Sequence, residues 1–379
     1  MRVAVCIPSY NEADSIAHVV GEVDRGLDST FDRRKCTIVN ADSGSTDNTR
    51  GVFLKTPTRC PKLSFDLSDE PSGKGRNLLH FLQWSVENDI DYLVTVDADI
   101  ISISSNWVSE LSSPLMRGEA DFVVPLYQRN RFEAITTNHF AYPLVYGYFG
   151  VDLRQPIGGE FGLSRETAEY LLERPPNDPT IYRYGVDIFM SMHVLGAGLR
   201  VMPVSLGRKI HKPTFPKMAR VFKDVAAAAL SVAKEYRFSP THDDQSDAYT
   251  TIDDDEVFPH GDSIHAMFSE ARQKALKLIP LYEGWLAGSV HDLQAGIGSE
   301  RPSVTAEQWT ELLAGCVAAA VSNEARVRDV AVQILPVFLI RAITFWKEID
   351  GLTAQAVDET LLAQARMFRR RLAERSLAA

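Results

Sequence analysis

Two aspartates separated by one alanine, Asp97 and Asp99, follow the apolar run Tyr92 to Val96. In a strand residues i and i+2 share a face, so both carboxylates would leave the sheet together. Carboxylates that close repel each other and lose hydration, a cost that a cation or hydrogen-bond donors must offset. A hard divalent ion bound through oxygen, Mg2+ or Mn2+, would offset it and would also hold a diphosphate. The pair fits the cap of a following helix as well. Two further clusters, Pro8-Ser9-Tyr10-Asn11-Glu12 and Asp42-Ser43-Gly44-Ser45-Thr46-Asp47, also come directly after apolar runs. Each alone reads equally as a helix cap, while together they form two adjacent walls of a crevice. A fourth cluster, Gly73-Lys74-Gly75-Arg76-Asn77, opens a helical pattern, where backbone N–H groups and the helix dipole favour an anion. Lys74 between two glycines could then approach a phosphate or nucleobase, with a plain surface turn as the alternative. It is not a Walker loop, because no Gly-x-x-x-x-Gly-Lys-Ser/Thr frame surrounds it.

The elements that must position these clusters are apolar runs alternating with helical patterns. Arg2 to Ile7, Cys36 to Ala41, Lys62 to Leu67 and Tyr92 to Val96 read as buried strands. Ile16, Val19, Val20 and Val23 recur at helical spacing after the first, and Leu78, Phe81, Leu82 and Val86 before the fourth. Such alternation implies crossover connections and a mainly parallel sheet, with ligands outside the carboxyl ends of the strands. The polar clusters sit at those ends. After about Lys217 the pattern becomes long helices: Val221 to Glu235, Ile264 to Leu278, Ala306 to Val321, Val327 to Trp346 and Ala354 to Ala373. A two-domain division follows, 1–217 and 218–379, with an acidic loop at about 239–262 that contains Asp253, Asp254, Asp255 and Glu256. That loop reads as a solvated surface, with a metal site as the second alternative, and the basic run Arg369 to Arg371 as the exposed face of a last helix.

Whole-chain properties narrow the function. The 379 residues, 45% hydrophobic and 24% charged, suit two globular domains. A net charge of -10, from 40 basic and 50 acidic residues, argues against a nucleic-acid partner, since phosphate neutralisation needs a basic surface. An anionic substrate would need a local cationic pocket. The four cysteines have no metal-type spacing and read as reduced thiols, and the amino terminus shows no signal pattern, so a cytoplasmic protein is expected. Val330 to Trp346 is interrupted by Pro336 and Arg341 and falls short of the ~20 residues that cross a bilayer, so it reads as a buried helix and no membrane span is expected.

Taken in order, Pro8 to Glu12, Asp42 to Asp47 and Asp97-Ala98-Asp99 resemble the nucleotide-sugar-binding signatures of glycosyltransferases with the GT-A fold. Gly73-Lys74-Gly75, Gln155-Pro156-Ile157-Gly158-Gly159-Glu160, Tyr184-Gly185-Val186-Asp187 and His211 resemble, more narrowly, the retaining mannosylglycerate synthase and glucosyl-3-phosphoglycerate synthase families. The resemblance covers residues 1 to about 220 in motifs. It implies a Rossmann-like α/β transferase domain followed by a helical domain. It assigns the nucleotide sugar to Pro8, Tyr10, Glu12, Asp42, Lys74, Asp97, Gly158 and Gly159, and an Mg2+ or Mn2+ ion to Asp99 and His211, completed by the donor diphosphate. Asp187 and Glu160 would stand at the reacting centre. Arg129 and Glu133 roughly match an acceptor site, where a guanidinium would suit a carboxylate such as glycerate; their spacing differs from the family's, and Arg131 competes for the role. The implied reaction is transfer of glucose or mannose from a UDP-, GDP- or ADP-hexose to glycerate or 3-phosphoglycerate with retention. An inverting family 2 transferase ranks lower, because no Arg-Trp pair occurs in the chain. A sugar nucleotidylyltransferase lacks its glycine-rich amino-terminal loop here, and a catalytically inactive sugar-nucleotide sensor would have no need of the metal residues. The apolar helices suggest a homo-oligomer, with a dimer expected.

Overall fold

The computed structural model describes residues 1–68, 73–212, 217–238, 250–252, 262–286 and 290–376. Most of the acidic stretch expected as a surface loop, residues 239–249 and 253–261 including Asp253 to Glu256, lies outside them.

Two compact units divide the chain: Met1–Tyr127 with Gln155–Pro216, and Gln128–Arg154 with Lys217–Ala379. The second unit thus takes a segment from the middle of the expected first domain.

The first unit begins as an alternating α/β run: β1 (Val3–Ser9), α1 (Ile16–Thr30), β2 (Cys36–Asp42), α2 (Thr49–Lys55), β3 (Lys62–Asp66), α3 (Lys74–Glu87), β4 (Tyr92–Thr95) and α4 (Asn106–Met116). Next comes β5 (Phe122–Asn130), whose last three residues belong to the second unit, followed there by α5 (Tyr142–Phe149). The chain then returns as β6 (Phe161–Ser164), α6 (Arg165–Leu172), α7 (Val186–Gly196) and β7 (Val201–Arg208). The strand order is β3-β2-β1-β4-β6-β5-β7. The first four strands pair in parallel, whereas β6 runs antiparallel to both β4 and β5. Order therefore reverses between β1 and β4, the switch point at which open sheets bind ligands beyond the strand carboxyl ends.

Periodicity explains why these segments fold as they do. Val3, Val5 and Ile7 of β1 meet Ile16, Val19, Val20, Val23 and Leu27 of α1 in one fully buried cluster that also takes in Val94, Trp107 and Tyr127. Each such aliphatic side chain contributes about 1.5–3 kcal/mol on burial. The sequence reading found β1 to β4 but not β5, β6 or β7. Phe161–Ser164 is too short to show a period, and Val201–Arg208 carries a glycine and a proline that mask its strand pattern.

Among the described residues the second unit is helical apart from the last three residues of β5 and from β8 (Thr251–Ile252), which pair with each other. Its remaining helices are α8 (Met218–Ala233), α9 (Asp262–Lys277), α10 (Ile279–Glu283), α11 (His291–Gly298), α12 (Ala306–Val321), α13 (Val327–Glu348) and α14 (Ala354–Ser376). Helix α13 runs through Pro336 and Arg341 to 22 residues, longer than expected, so its length and hydropathy would suffice to cross a membrane. Most of its apolar stretch is nevertheless covered by protein, and the buried Arg341 is satisfied by Glu348, Gln364 and the carbonyl of Val304. These are the marks of a core helix.

Candidate active site

The amino-terminal wall of the site is built from hydrogen bonds that the chain makes to itself. Asp42, at the end of β2, is nearly covered, and its carboxylate accepts from Gly44 N, Ser45 N, Ser9 Oγ and Ser45 Oγ at 2.7–3.0 Å. Four donors around one carboxylate make Asp42 the knot that shapes the turn after β2. Pro8 is buried at the end of β1, while Tyr10 two residues on is 55% exposed and can lay its ring under a planar ligand. Glu12 is buried, with its backbone N–H on Thr49 Oγ1 and its carboxylate on Lys212 Nζ at 2.6 Å.

Lys74 opens α3, and the glycines beside it have a different task from the one expected. A Cβ on Gly75 would stand 1.9 Å from the carbonyl oxygen of Ile181, and Gly75 N donates to Arg183 O. The glycines let the 181–183 segment pack on the helix start, so that N–H is spent within the protein. Lys74 itself reaches Asp97 at 2.8 Å and Asp187 at 3.1 Å. The lysine is thus an internal counter-ion between two site carboxylates. Burial alone would lower the Lys74 ammonium, but Asp187 and Asp97 raise it well above its ordinary value.

The aspartate pair lies beyond the strand, since β4 ends at Thr95, so the same-face argument does not apply. The two side chains nevertheless have opposite environments. Burial would raise Asp97, but the ammonium groups of Lys74 and Lys209 hold it below the usual carboxylate range. Asp99 is pushed up to about 6, first by burial and then by the charge of Asp97. Its carboxylate has no hydrogen bond and no ion pair with any described residue. His211 comes alongside through an antiparallel bridge between His211 and Ile100, reinforced by Ile101 N donating to Ile210 O at 2.8 Å. The His211 Nδ1 pairs with the carbonyl of Lys212 at 2.7 Å. A carbonyl only accepts, so Nδ1 carries a proton, and in the neutral ring Nε2 would be the nitrogen that binds a metal. Among the described residues no three His, Cys, Asp or Glu side chains cluster closely enough to hold an ion alone. A partly buried carboxylate without a partner and one imidazole suit a cation that takes its remaining ligands from a diphosphate.

The turn Gln155 to Glu160 runs past these groups. Gly159 has φ +99°, and a Cβ there would lie 2.5 Å from the Asp97 carboxylate. Glu160 has no exposed surface: Oε1 takes the Asp97 N–H at 3.3 Å, and Oε2 takes Tyr127 Oη at 2.6 Å and Lys209 Nζ at 2.8 Å. A carboxylate so enclosed has no face for substrate, which sets aside the expected reacting role and leaves it a positioning one. Asp187, at the start of α7, spends Oδ2 on Lys74, while Oδ1 is buried without a hydrogen-bond partner. Burial raises the Asp187 carboxyl, with Lys74 opposing. Arg129 and Glu133 lie in the second unit, where Arg129 Nε pairs with Glu133 at 3.3 Å. Arg131 points its guanidinium at the Ile349 and Leu352 carbonyls and so serves packing.

Lys209, Tyr127 and Thr95 belong to the site's frame and were not singled out from the sequence, and Gln155 entered only as the first residue of the Gln155 to Glu160 motif. A buried lysine has no sequence signature that an exposed one lacks. Only its place two residues before His211 could have drawn notice.

Comparison with known proteins gives this geometry a context. The sequence model for glycosyl transferase family 2 matches residues 4–158. The chain is 27% identical, over 250 residues, to the glucosyl-3-phosphoglycerate synthase of Mycolicibacterium paratuberculosis, covering 60% of this chain and 71% of that protein. It is similar to the crystal structure of glucosyl-3-phosphoglycerate synthase from Mycobacterium tuberculosis in complex with Mn2+, UDP and glucosyl-3-phosphoglycerate, with 27% identity, a TM-score of 0.50 and coverage of 61% and 80%. A second structure of that enzyme, with Mg2+ and UDP, matches at 25% identity and a TM-score of 0.50, covering 61% of this chain and 79% of the other. The chain is a nucleotide-sugar glycosyltransferase with a GT-A fold.

Proposed function

We propose that this enzyme transfers a hexose, with glucose favoured over mannose, from a nucleotide sugar to a small carboxylated acceptor such as 3-phosphoglycerate or glycerate, with retention of configuration. Similarity to the two glucosyl-3-phosphoglycerate synthases, one of them also solved with Mn2+, UDP-glucose and phosphoglyceric acid, supports UDP-glucose as donor and Mn2+ or Mg2+ as cofactor. The observation that carries the reading is the unpartnered, half-buried Asp99 carboxylate, one residue before Ile100, whose backbone bridges His211. When bound there, a divalent cation would neutralise the charge that develops on the departing nucleoside diphosphate.

The rest falls to the chain's own groups. Tyr10, Pro8, Glu12 and Asp42 shape the nucleoside wall, with the exposed Tyr10 ring stacking on the base. Lys74 keeps Asp97 ionised for the ribose or cation side. Asp187 Oδ1, buried and without a partner, accepts a hydroxyl of the donor sugar, because an unsatisfied buried oxygen costs about 1–3 kcal/mol that such a bond recovers. Gly158 and Gly159 bring backbone close beneath the sugar. The acceptor carboxylate is assigned to Arg129 by the resemblance alone, and within the second unit Glu133 pairs with that guanidinium. The acceptor hydroxyl attacks from the face that the nucleotide leaves, and a donor phosphate oxygen takes its proton. We place the enzyme in the cytoplasm as a dimer, which sedimentation of the purified protein would test.

The experiment is incubation with UDP-glucose, Mn2+ and 3-phosphoglycerate, followed by proton NMR of the anomeric centre. An α-linked product is expected. A β-linked one would establish the inverting reading, which the family 2 match over residues 4–158 favours. No turnover with any UDP-, GDP- or ADP-hexose would leave the inactive sensor.

A further inference from the structure

Lys209 stands at the end of β7, 8% exposed, and spends its ammonium entirely on neighbours. It donates to Gly158 O at 2.6 Å and to Glu160 Oε2 at 2.8 Å, and lies 4.9 Å from the centre of the Tyr127 ring. Tyr127 is fixed in turn. The Gln155 side-chain amide takes its N–H at 3.1 Å and donates to its carbonyl at 2.8 Å, and Trp107 packs on its ring. The carbonyls of the intervening turn are fastened one by one: Pro156 O by Ser191 Oγ at 2.6 Å, Gly158 O by Lys209, and Gly159 O by Thr95 Oγ1 at 3.2 Å.

A buried ion pair adds little stability compared with apolar side chains of similar volume, so this network's value lies in what it fixes. It fixes two things at once. One is the turn whose Gly159 backbone lies against the Asp97 carboxylate. The other is the segment that continues, two residues on, to His211 and its bridge to Ile100. We infer that Lys209 is a positioning residue that locks the sugar-side turn, Gln155 to Glu160, to the segment carrying His211, so that both move as one body. The inference rests on the proposed transferase reading, because it assigns that turn to the donor sugar. Lys209 touches no reacting atom.

Removing Lys209 alone would strand the Glu160 charge in the interior and could unfold the chain, so the informative variant is the neutral pair Lys209→Met/Glu160→Gln, with Lys209→Arg beside it. Two measurements decide. Hydrogen–deuterium exchange of the peptide spanning residues 155–160 should rise at least severalfold in the double variant while the thermal midpoint and the exchange of β1 stay near wild type. With UDP-glucose, Mn2+ and 3-phosphoglycerate, kcat should fall of the order of 10- to 100-fold, as misplacement by about 1 Å costs, with the KM for donor within about twofold. Lys209→Arg, which keeps the charge and donors, should recover most of kcat. Unchanged exchange in the turn, an unchanged kcat, or a loss expressed as an equal rise in donor KM would each overturn the inference. Should the wild-type chain turn over no nucleotide sugar, the proposed function would fail while the exchange comparison still reads the lock, so the two failures are distinguishable.

Discussion

Three charged side chains, Asp97, Lys74 and Asp187, sit in series at 2.8 and 3.1 Å, and Lys74 favours the ionised form of both carboxylates while the charge of Asp97 opposes that of Asp187. Replacing Lys74 with methionine would leave the buried Asp187 uncompensated and the half-buried Asp97 with only Lys209 as a nearby ammonium, and breaking such a pair costs about 3–5 kcal/mol. We expect Lys74→Met to lower the denaturation midpoint and, by letting Asp97 protonate, to weaken UDP binding in calorimetry; a stable variant with wild-type affinity would remove the counter-ion role. Asp99 is outside this series, which separates function from folding. Asp99→Ala should abolish metal-dependent transfer and leave circular dichroism unchanged, since no described residue loses a hydrogen bond. Full activity in that variant would refute the metal assignment. At Gly159 the backbone and the space both speak against a side chain. Gly159→Ala meets a φ of +99° and an oxygen 2.5 Å away, strain of about 1–3 kcal/mol that the turn or Asp97 must absorb. The expected result is a tenfold or greater loss of kcat, of the order that sub-ångström to 1 Å misplacement produces, and unaltered steady-state kinetics would contradict the close approach.

At the scale of elements, the contrast between what the sequence revealed and what it hid has a physical cause. Strands β1, β2 and β4 were legible because apolar runs buried on both faces carry their own signal, and the half-buried edge strand β3 because it falls between helical patterns; the motifs at the strand ends were legible with them. Strands β6 and β7 were not, because pairing with neighbours decides a four-residue strand and one broken by Pro203 and Gly207. The site divides the same way. Clusters such as Asp97 and Asp99 announce themselves by spacing, whereas the role of Lys209 depends on a contact between segments about fifty residues apart. The second unit holds a similar case, invisible in sequence: Asp358 of α14 accepts Thr250 N, Thr251 N, both threonine hydroxyls and Arg154 Nη2 at 2.7–3.1 Å, all of them buried or nearly so. This knot fixes the start of β8 against the end of β5. Asp358→Ala should therefore cost about 3–5 kcal/mol in urea unfolding, because it leaves a buried guanidinium and several donors unpaired. A loss below 1 kcal/mol would mean that water replaces the carboxylate.

For the molecule as a whole, the decisive quantity is the mismatch between a net charge of -10 and an anionic donor. The lysines nearest the site do not resolve it alone, since Lys74, Lys209 and Lys212 are all paired with carboxylates of the protein. Affinity for a nucleoside diphosphate should accordingly depend on an added divalent ion, and the protein's stability should not, because no closed set of three metal-type ligands exists among the described residues. These two dependences can be separated in one thermal-shift series. Chelator alone should leave the midpoint where it is, and UDP alone should move it little. UDP with Mn2+ at about a hundredfold above its Kd adds roughly 2.7 kcal/mol to the unit that binds it, which for a unit of this size is a rise of several degrees. Chelator added to that mixture should return the midpoint to its starting value. A fall on chelation without nucleotide would reveal a structural metal, and an equal rise with UDP alone would show that paired lysines rearrange to serve the diphosphate, so that Asp99 and His211 are not needed for donor binding.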